Sequence, residues 1–211
     1  MEDKGIKPNI IDKLFQASTS KKTMLHAFAI FVPAKRNVFS SVVLLGLSVI
    51  AACIISTGQN TVSLFVNSVD MILTVLIELF GIIFAGYAIF QAILSEKMLI
   101  KMLQYTTKKD LEEKSLLQTT NENFVELMML TILGIIVSVF IKLILGGINQ
   151  EFALFPSEIV NEVCSGFLCA LYYFFSATIM WEMKSFVFNI FQLFNAYSGA
   201  RILEIIENNQ E

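Results

Sequence analysis

Four long apolar stretches with almost no charge constrain this chain more than any other feature. They cover approximately residues 39–57, 71–94, 124–145 and 163–181. A helix needs about 20 mostly apolar residues to cross a hydrocarbon core of roughly 30 Å. The stretches are continuous rather than alternating, which favours helices over the strands of a barrel. The sequence therefore predicts an all-α polytopic membrane protein with four transmembrane helices.

The composition agrees with this class. Of the 211 residues, 55% are hydrophobic and 16% are charged, and the formal net charge at pH 7 is −3. A typical soluble domain carries about 25% charged residues. A weakly acidic chain has no basic field that attracts nucleic acid. We therefore expect a lipid bilayer around the protein and no direct nucleic-acid binding.

The distribution of Lys and Arg predicts the orientation. The segments outside the four spans carry, in chain order, 7, 0, 5, 0 and 2 basic residues. Loops on the cytoplasmic side are enriched in Lys and Arg. This places both termini and the loop 95–123 in the cytoplasm, at a cell inner membrane. The predicted organisation is an amphipathic cytoplasmic or interfacial segment (1–38), a four-helix transmembrane domain (39–184) and a cytoplasmic extension of the fourth helix (185–211), with a small helical layer on the cytoplasmic side.

The cytoplasmic segments contain short elements of their own. Asn9–Gln16 and Met24–Val32 are apolar pieces too short to span the membrane. Interfacial helices on the inner leaflet and a docking site for a soluble partner are both open interpretations of these pieces. In the middle loop, Lys108–Lys114 mixes charges and is predicted to be a solvated helix or turn. Thr120 or Asn121 is predicted to cap the third span.

The segment after the fourth span keeps helical periodicity. Polar residues recur every three or four positions from Glu182 to Asn195, which outlines one face of a helix. The remaining face is rich in Phe, and an exposed aromatic face of this size marks an interaction surface. We predict that it is buried against the other cytoplasmic pieces, a second subunit or a soluble partner. The contact candidates are Phe186, Phe188, Phe191 and Phe194.

Small and polar residues follow one face of each span. Lipid tails are as apolar as Leu, so transmembrane helices associate through small and polar residues that permit close approach. We predict that these faces meet other helices and that the protein forms a homo-oligomer. The face of the second span is the most regular, with spacings of 4, 3, 4, 3 and 4. The residues are Thr74, Glu78, Gly81, Ala85, Ala88 and Ala92 in the second span, Thr131, Gly134, Ser138 and Lys142 in the third, and Gly166, Ala170, Tyr173 and Ala177 in the fourth.

Two charged residues lie inside the predicted spans. With the second span starting at Met71, Glu78 lies about 10 Å from its outer end at 1.5 Å per residue. A charge there costs at least ~2.5 kcal/mol unless it is paired, hydrated or protonated. Three interpretations are open. Glu78 and Lys142 are separate neutral or snorkelling groups, or they form an ion pair in the outer half of the bundle, or they serve ion or proton passage.

The sequence carries no motif that needs a catalytic spacing. It contains no Gly-rich phosphate loop, HExxH, CxxC pair or GxSxG. We therefore expect no enzyme, no catalytic residue, no cofactor and no metal site. Two functions of different classes are open. The first is an oligomeric inner-membrane sensor or scaffold that recruits or regulates a cytoplasmic partner. The alternative is a small oligomeric ion channel or membrane-depolarising effector.

The architecture of the whole chain resembles that of the KwaA family, the membrane subunits of the Kiwa anti-phage defence system. The shared features are four spans, both termini inside and a membrane-proximal cytoplasmic layer. The resemblance is one of architecture, and no site residue is carried over from it. It implies an oligomeric inner-membrane sensor of phage infection with a cytoplasmic, DNA-binding partner of the KwaB type.

Overall fold

The structure, a computed structural model, describes residues 20–31, 38–58, 60–109, 112–147 and 156–208. Within these ranges the chain forms helices, one 3-10 turn and one small hairpin. In chain order they are α1 (Ser20–Ala27), the 3-10 turn (Phe28–Phe31), α2 (Val38–Ser56), α3 (Thr61–Ile93), α4 (Glu96–Gln104), β1 (Thr106–Lys109), β2 (Glu112–Ser115), α5 (Leu116–Gly147) and α6 (Glu158–Asn208).

Four of these helices, α2, α3, α5 and α6, are long and apolar enough to cross a membrane. The predicted class, an all-α polytopic protein, is confirmed. The charged stretch Lys108–Lys114 differs from its prediction, because it contributes to both strands of the antiparallel hairpin. The register sets Lys108 opposite Glu113 and Lys109 opposite Glu112.

Two of the long helices begin earlier than predicted. α3 begins at Thr61 rather than near Met71, and α5 begins at Leu116 rather than near Phe124. The cap of α5 is Ser115, whose Oγ accepts a hydrogen bond from the backbone N of Gln118 at 3.2 Å, so the predicted cap at residues 120–121 was wrong. At 1.5 Å per residue, the 33 residues of α3 extend for about 50 Å, well beyond a hydrocarbon core of roughly 30 Å.

α6 holds the other long helices together. The hydroxyl of Tyr173 lies 2.6 Å from that of Ser68 on α3. The neighbouring Tyr172 hydroxyl lies 2.8 Å from that of Ser138 on α5. Polar side chains that pair across helices inside a bilayer are worth about 0.6 kcal/mol each on average. Two consecutive tyrosines therefore set how far α3 and α5 are shifted along α6.

α6 extends far beyond the end of α2. The backbone of Gly166 lies against Ser56 at the C-terminus of α2. Because α2 is 19 residues long, its first residue, Val38, lies level with about residue 184 of α6. α6 continues without interruption to Asn208, so about 24 of its residues extend past α2. We call this part of the bundle the hairpin end.

A second hydrophobic core forms at the hairpin end. Ser95 caps α4 by accepting a hydrogen bond from the backbone N of Met98 at 3.3 Å, which turns the chain back after α3. α4 buries Met98 and Met102, one turn apart, against the ends of α3, α5 and α6. The centre of this core is aromatic, with the Phe124 and Phe186 rings 5.4 Å apart and perpendicular. The part of the protein beyond α2 is thus packed in its own right.

The first described segment packs into the bundle. Ala27 is fully buried, and the ring of Phe31 stacks on Phe175 of α6 at 5.3 Å. The part of Met24–Val32 that the structure describes therefore fills a gap between α5 and α6 rather than lying only along a surface. Asn9–Gln16, the other predicted amphipathic piece, lies outside the described residues.

We expect Gly86→Leu to lower the free energy of unfolding by about 1–3 kcal/mol, the usual cost of overpacking. A Cβ at Gly86 would lie 2.6 Å from Cζ of Phe186 and 2.8 Å from Cδ1 of Ile190. Gly46→Leu is the matched control, because nothing lies within 4 Å of a Cβ there. Denaturation of the purified protein in detergent measures both variants. Equal stabilities would contradict the described contact of α3 with α6.

Candidate functional site

The small-residue face of α3 is not covered by the rest of the chain. Thr131, Gly134 and Ser138 of α5 are buried, as expected for a face that meets other helices. All six residues of the α3 face are exposed instead. α3 packs through its opposite face, where larger side chains recur every seven residues. These are Val69, Leu76, Ile83 and Phe90. The sequence predicted that this face of α3 meets another helix. Among the described residues, no helix of the same chain packs on it.

Glu78 lies in the middle of the uncovered α3 face. α3 begins at Thr61, so Glu78 is 17 residues, or about 26 Å, from that end of the helix. The predicted depth of about 10 Å was counted from Met71, and the helix itself starts ten residues earlier than the apolar run. Glu78 is exposed, and its carboxylate has no hydrogen bond or ion pair with any residue that the structure describes.

Lys142 pairs with Asp70. Its Nζ lies 2.6 Å from Oδ1 of Asp70, and the two side chains are 48% and 44% exposed. The ion pair of Lys142 with Glu78, one of the three interpretations that the sequence left open, is therefore not formed within the chain. The side-chain amide nitrogen of Gln91 on α3 donates a hydrogen bond to the amide oxygen of Asn121 on α5 at 3.3 Å. This hydrogen bond and the ion pair together set the register of α3 and α5. By that register Glu78 is level with Gly134, about 12 Å along α5 from Lys142.

The Phe-rich face of α6 is buried at one position. Phe186 is 7% exposed and belongs to the core of the hairpin end. Phe188 and Phe191 are each 58% exposed, and Phe194 is 42% exposed. Of the four Phe residues that were predicted to be buried, Phe186 is therefore the one buried within the described part of the chain. We call Phe188, Phe191 and Phe194 the Phe row.

A cleft of about 520 Å³ separates α5 from α6 at the hairpin end. Apolar side chains provide most of its lining, polar side chains from both helices provide the rest, and Ile30 of the 3-10 turn closes part of it. The sequence indicated these polar positions on α6 by their spacing, but nothing in it showed that a second polar face lies opposite. The polar lining residues are Thr119, Thr120, Asn123, Glu126, Glu182, Ser185, Asn189 and Gln192, and the apolar ones include Phe124, Leu127, Phe186 and Leu193.

The polar groups of the cleft are segregated along its length. The Tyr172–Ser138 and Phe124–Phe186 contacts place Glu126 level with about residue 184 of α6. Glu126 and Glu182 therefore lie at the end nearer the spans, and Gln192 lies at the far end. No Lys, Arg or His is among the described lining residues. The Nζ of Lys184 lies 4.3 Å from the ring centre of Trp181.

Among the described residues, no group of three His, Cys, Asp or Glu side chains is placed to hold a metal ion. No family model, curated protein or solved structure matches this chain. We therefore infer the function from the geometry of the uncovered α3 face, the Phe row and the cleft.

We expect a double-mutant cycle of Asp70→Ala with Lys142→Ala to give a coupling energy of about 0.2–1 kcal/mol, the range for pairs with substantial exposure. The same cycle with Glu78→Ala in place of Asp70→Ala is the matched control, and its coupling energy should be near zero. Unfolding of the purified variants in detergent measures both. A larger coupling for Glu78 than for Asp70 would contradict the pairing described above.

Proposed function

We propose that this protein is an oligomeric inner-membrane sensor or scaffold that recruits or regulates a soluble cytoplasmic partner. The observation that carries this proposal is the Phe row, which is exposed on the part of α6 beyond α2. In the proposed topology this part of α6 lies in the cytoplasm, where exposed aromatic surface marks a protein interaction site. The buried core beneath the row makes the hairpin end a rigid platform on which such a surface can be presented.

The charge distribution supports a cytoplasmic position for the hairpin end. The loop between the second and third spans carries five basic residues, and the segments on the other side carry none. In the proposed topology both termini and the Phe row lie in the cytoplasm. A soluble partner on that side can reach the row directly.

The uncovered face of α3 supports the oligomer. An ionised carboxylate that faces lipid costs at least ~2.5 kcal/mol, and Glu78 has no partner among the described residues. A second copy seated on Thr74, Glu78 and Gly81, the part of this face that lies alongside α2, removes Glu78 from lipid. It also permits the close backbone approach that stabilises helix pairs in a bilayer.

The resemblance to the KwaA family supports a role in anti-phage defence. In that case the partner is a DNA-binding protein of the KwaB type, and the membrane protein senses the infection. The experiments below test the docking surface and the oligomer without assuming this identity of the partner.

We expect the double variant Phe188→Asn, Phe191→Asn to lose its partner while the protein remains folded. Both side chains are exposed, so their replacement leaves the core of the hairpin end intact. A photo-crosslinking side chain at position 191 should capture a soluble protein in cells, and the same probe at exposed Leu168, inside the fourth span, should not. Truncation at residue 185 is a poor substitute, because it also removes the buried Phe186.

Crosslinks from position 191 to lipid, or to a second copy of the chain alone, would overturn the docking surface. Membrane insertion and the elution volume in detergent show whether the double variant has folded. A soluble protein crosslinked from position 191 supports the proposal when the double variant no longer binds it and the probe at Leu168 does not crosslink to it.

We expect Gly81→Leu to reduce the oligomer to smaller species while the fold of each chain is kept. Nothing lies within 4 Å of a Cβ at Gly81, so the larger side chain meets no group of its own chain. Gly46→Leu on exposed α2 is the matched control. Native mass spectrometry of both variants measures the change, and an unaltered oligomer in Gly81→Leu would contradict assembly through this face.

The exposed carboxylate of Glu78 also favours the second candidate, a channel in which several copies gather Glu78 around a pore. Liposomes that contain the purified oligomer separate the two functions. A channel gives a conductance that Glu78→Gln changes, whereas the scaffold gives none.

A further inference from the structure

The contacts of α3 with α6 show which of their residues share a depth in the membrane. The hydroxyls of Ser68 and Tyr173 lie 2.6 Å apart, and a Cβ at Gly86 would meet Cζ of Phe186. Because the residue numbers rise together on both helices, the two helices run in the same direction. A residue of α3 is therefore level with the residue of α6 that lies about 100–105 positions later in the chain.

A basic group of α6 lies at the depth of Glu78. By this register Glu78 is level with about residues 178–183 of α6. Lys184 follows directly, and its side chain is exposed. Its Nζ lies 4.3 Å from the ring centre of Trp181, so the ammonium is directed back along α6 toward the level of Glu78.

Neither of these two charges is neutralised within the chain. Glu78 and Lys184 have no ion pair with any residue that the structure describes. Glu78 lies on the side of α3 opposite Leu76 and Ile83, which face the bundle, so it points away from its own α6. One copy of the protein thus presents an unpaired anion on α3 and an unpaired cation on α6, at one depth and on two different faces.

Membrane symmetry restricts the partner that a second copy can offer Glu78. Copies inserted in one bilayer with the same orientation are related by rotation about the membrane normal, which keeps every residue at its own depth. The four spanning helices carry three basic residues, which are Lys142, Lys184 and Arg201. Lys142 is about 12 Å away along α5 and is paired with Asp70, and Arg201 lies 17 residues, about 26 Å, beyond Lys184. Of the three, Lys184 alone matches the depth of Glu78.

The charges also select the type of interface. A two-fold dimer through the uncovered face of α3 sets Glu78 of one copy near Glu78 of the other, and these like charges repel. Contact of α3 in one copy with α6 in the next brings opposite charges together instead. Such an interface joins two different faces, and its repetition closes into a ring.

We propose that the oligomer is a ring in which Glu78 of each copy forms an ion pair with Lys184 of the partner subunit. This inference rests on the oligomer of the proposed function and names the surface of the neighbouring copy that α3 contacts. Pairing removes the cost of an ionised carboxylate that faces lipid, and the low dielectric constant there strengthens the attraction. Recruitment of a soluble protein is tested separately, from position 191.

A charge swap tests the pair. Glu78→Lys alone and Lys184→Glu alone each set two like charges together at every interface. We expect each to raise the dissociation constant of the oligomer at least about tenfold. The double variant Glu78→Lys, Lys184→Glu places opposite charges together again and should recover most of the native affinity. Energy transfer between fluorescently labelled copies, followed on dilution in detergent, measures these constants.

The double variant Glu78→Lys, Arg201→Glu is the matched control. Arg201 is an exposed basic residue on the same helix, but it lies far from the depth of Glu78. This control should stay as weak as Glu78→Lys alone. Circular dichroism and elution volume show that each variant is folded. If a reversed charge prevents insertion, Glu78→Gln and Lys184→Gln replace the reversals, and each should also weaken the oligomer.

A zero-length crosslinker tests the pair in the native chain. A carbodiimide condenses a carboxylate and an amine that are in contact to an amide, and the reagent takes up the water that is released. We expect a covalent dimer in which mass spectrometry finds Glu78 joined to Lys184. Lys184→Gln should lose this dimer, and Arg201→Gln should keep it.

The outcomes separate this inference from the oligomer on which it rests. A native protein that is a single chain in both detergent and bilayer overturns both. An oligomer that the single reversals leave intact, or that the charge swap does not restore, overturns the pair and leaves the oligomer standing. A covalent dimer that lacks the bond between Glu78 and Lys184 does the same.

Discussion

Two consecutive tyrosines on α6 set the arrangement on which the rest of this structure depends. Tyr172 bonds to α5 and Tyr173 bonds to α3, so one turn of α6 fixes the height of both helices. In a bilayer the hydrophobic effect does not drive helices together, and such polar contacts and close packing take its place. The level of the cleft follows from this register, and the Asp70–Lys142 pair and the Gln91–Asn121 hydrogen bond set the level of α3 against α5 directly.

Helix length is the second constraint. Helices α3, α5 and α6 have 33, 32 and 51 residues, whereas about 20 suffice to cross the hydrocarbon core. The excess of all three lies largely beyond the end of α2. There α4 and the aromatic core bind them into a second packed layer. That layer supports the Phe row on its outside and leaves the cleft between α5 and α6.

The polar groups of the bundle fall into two sets with different consequences. Those paired within the chain, such as half-buried Ser68 and buried Ser138, hold helices together. Glu78 and Glu182 have no such partner among the described residues, and each lies where something outside the chain can meet it. Glu78 lies on the uncovered face of α3, and Glu182 lines the cleft between α5 and α6.

The sequence by itself determined the helical class, the four spans and the continuation of the Phe-rich segment in the same helix period. These follow from local apolar runs and spacing, which act over a few turns. It misplaced the starts of α3 and α5, because polar residues such as Asp70 and Asn121 break an apolar run without breaking a helix. The tertiary structure alone decided which face of α3 is covered, that Lys142 meets Asp70, and that two polar faces enclose a cleft. Each of these depends on how far one helix is shifted and rotated against another, and contacts between residues far apart in the chain, such as Ser68 with Tyr173, set that shift.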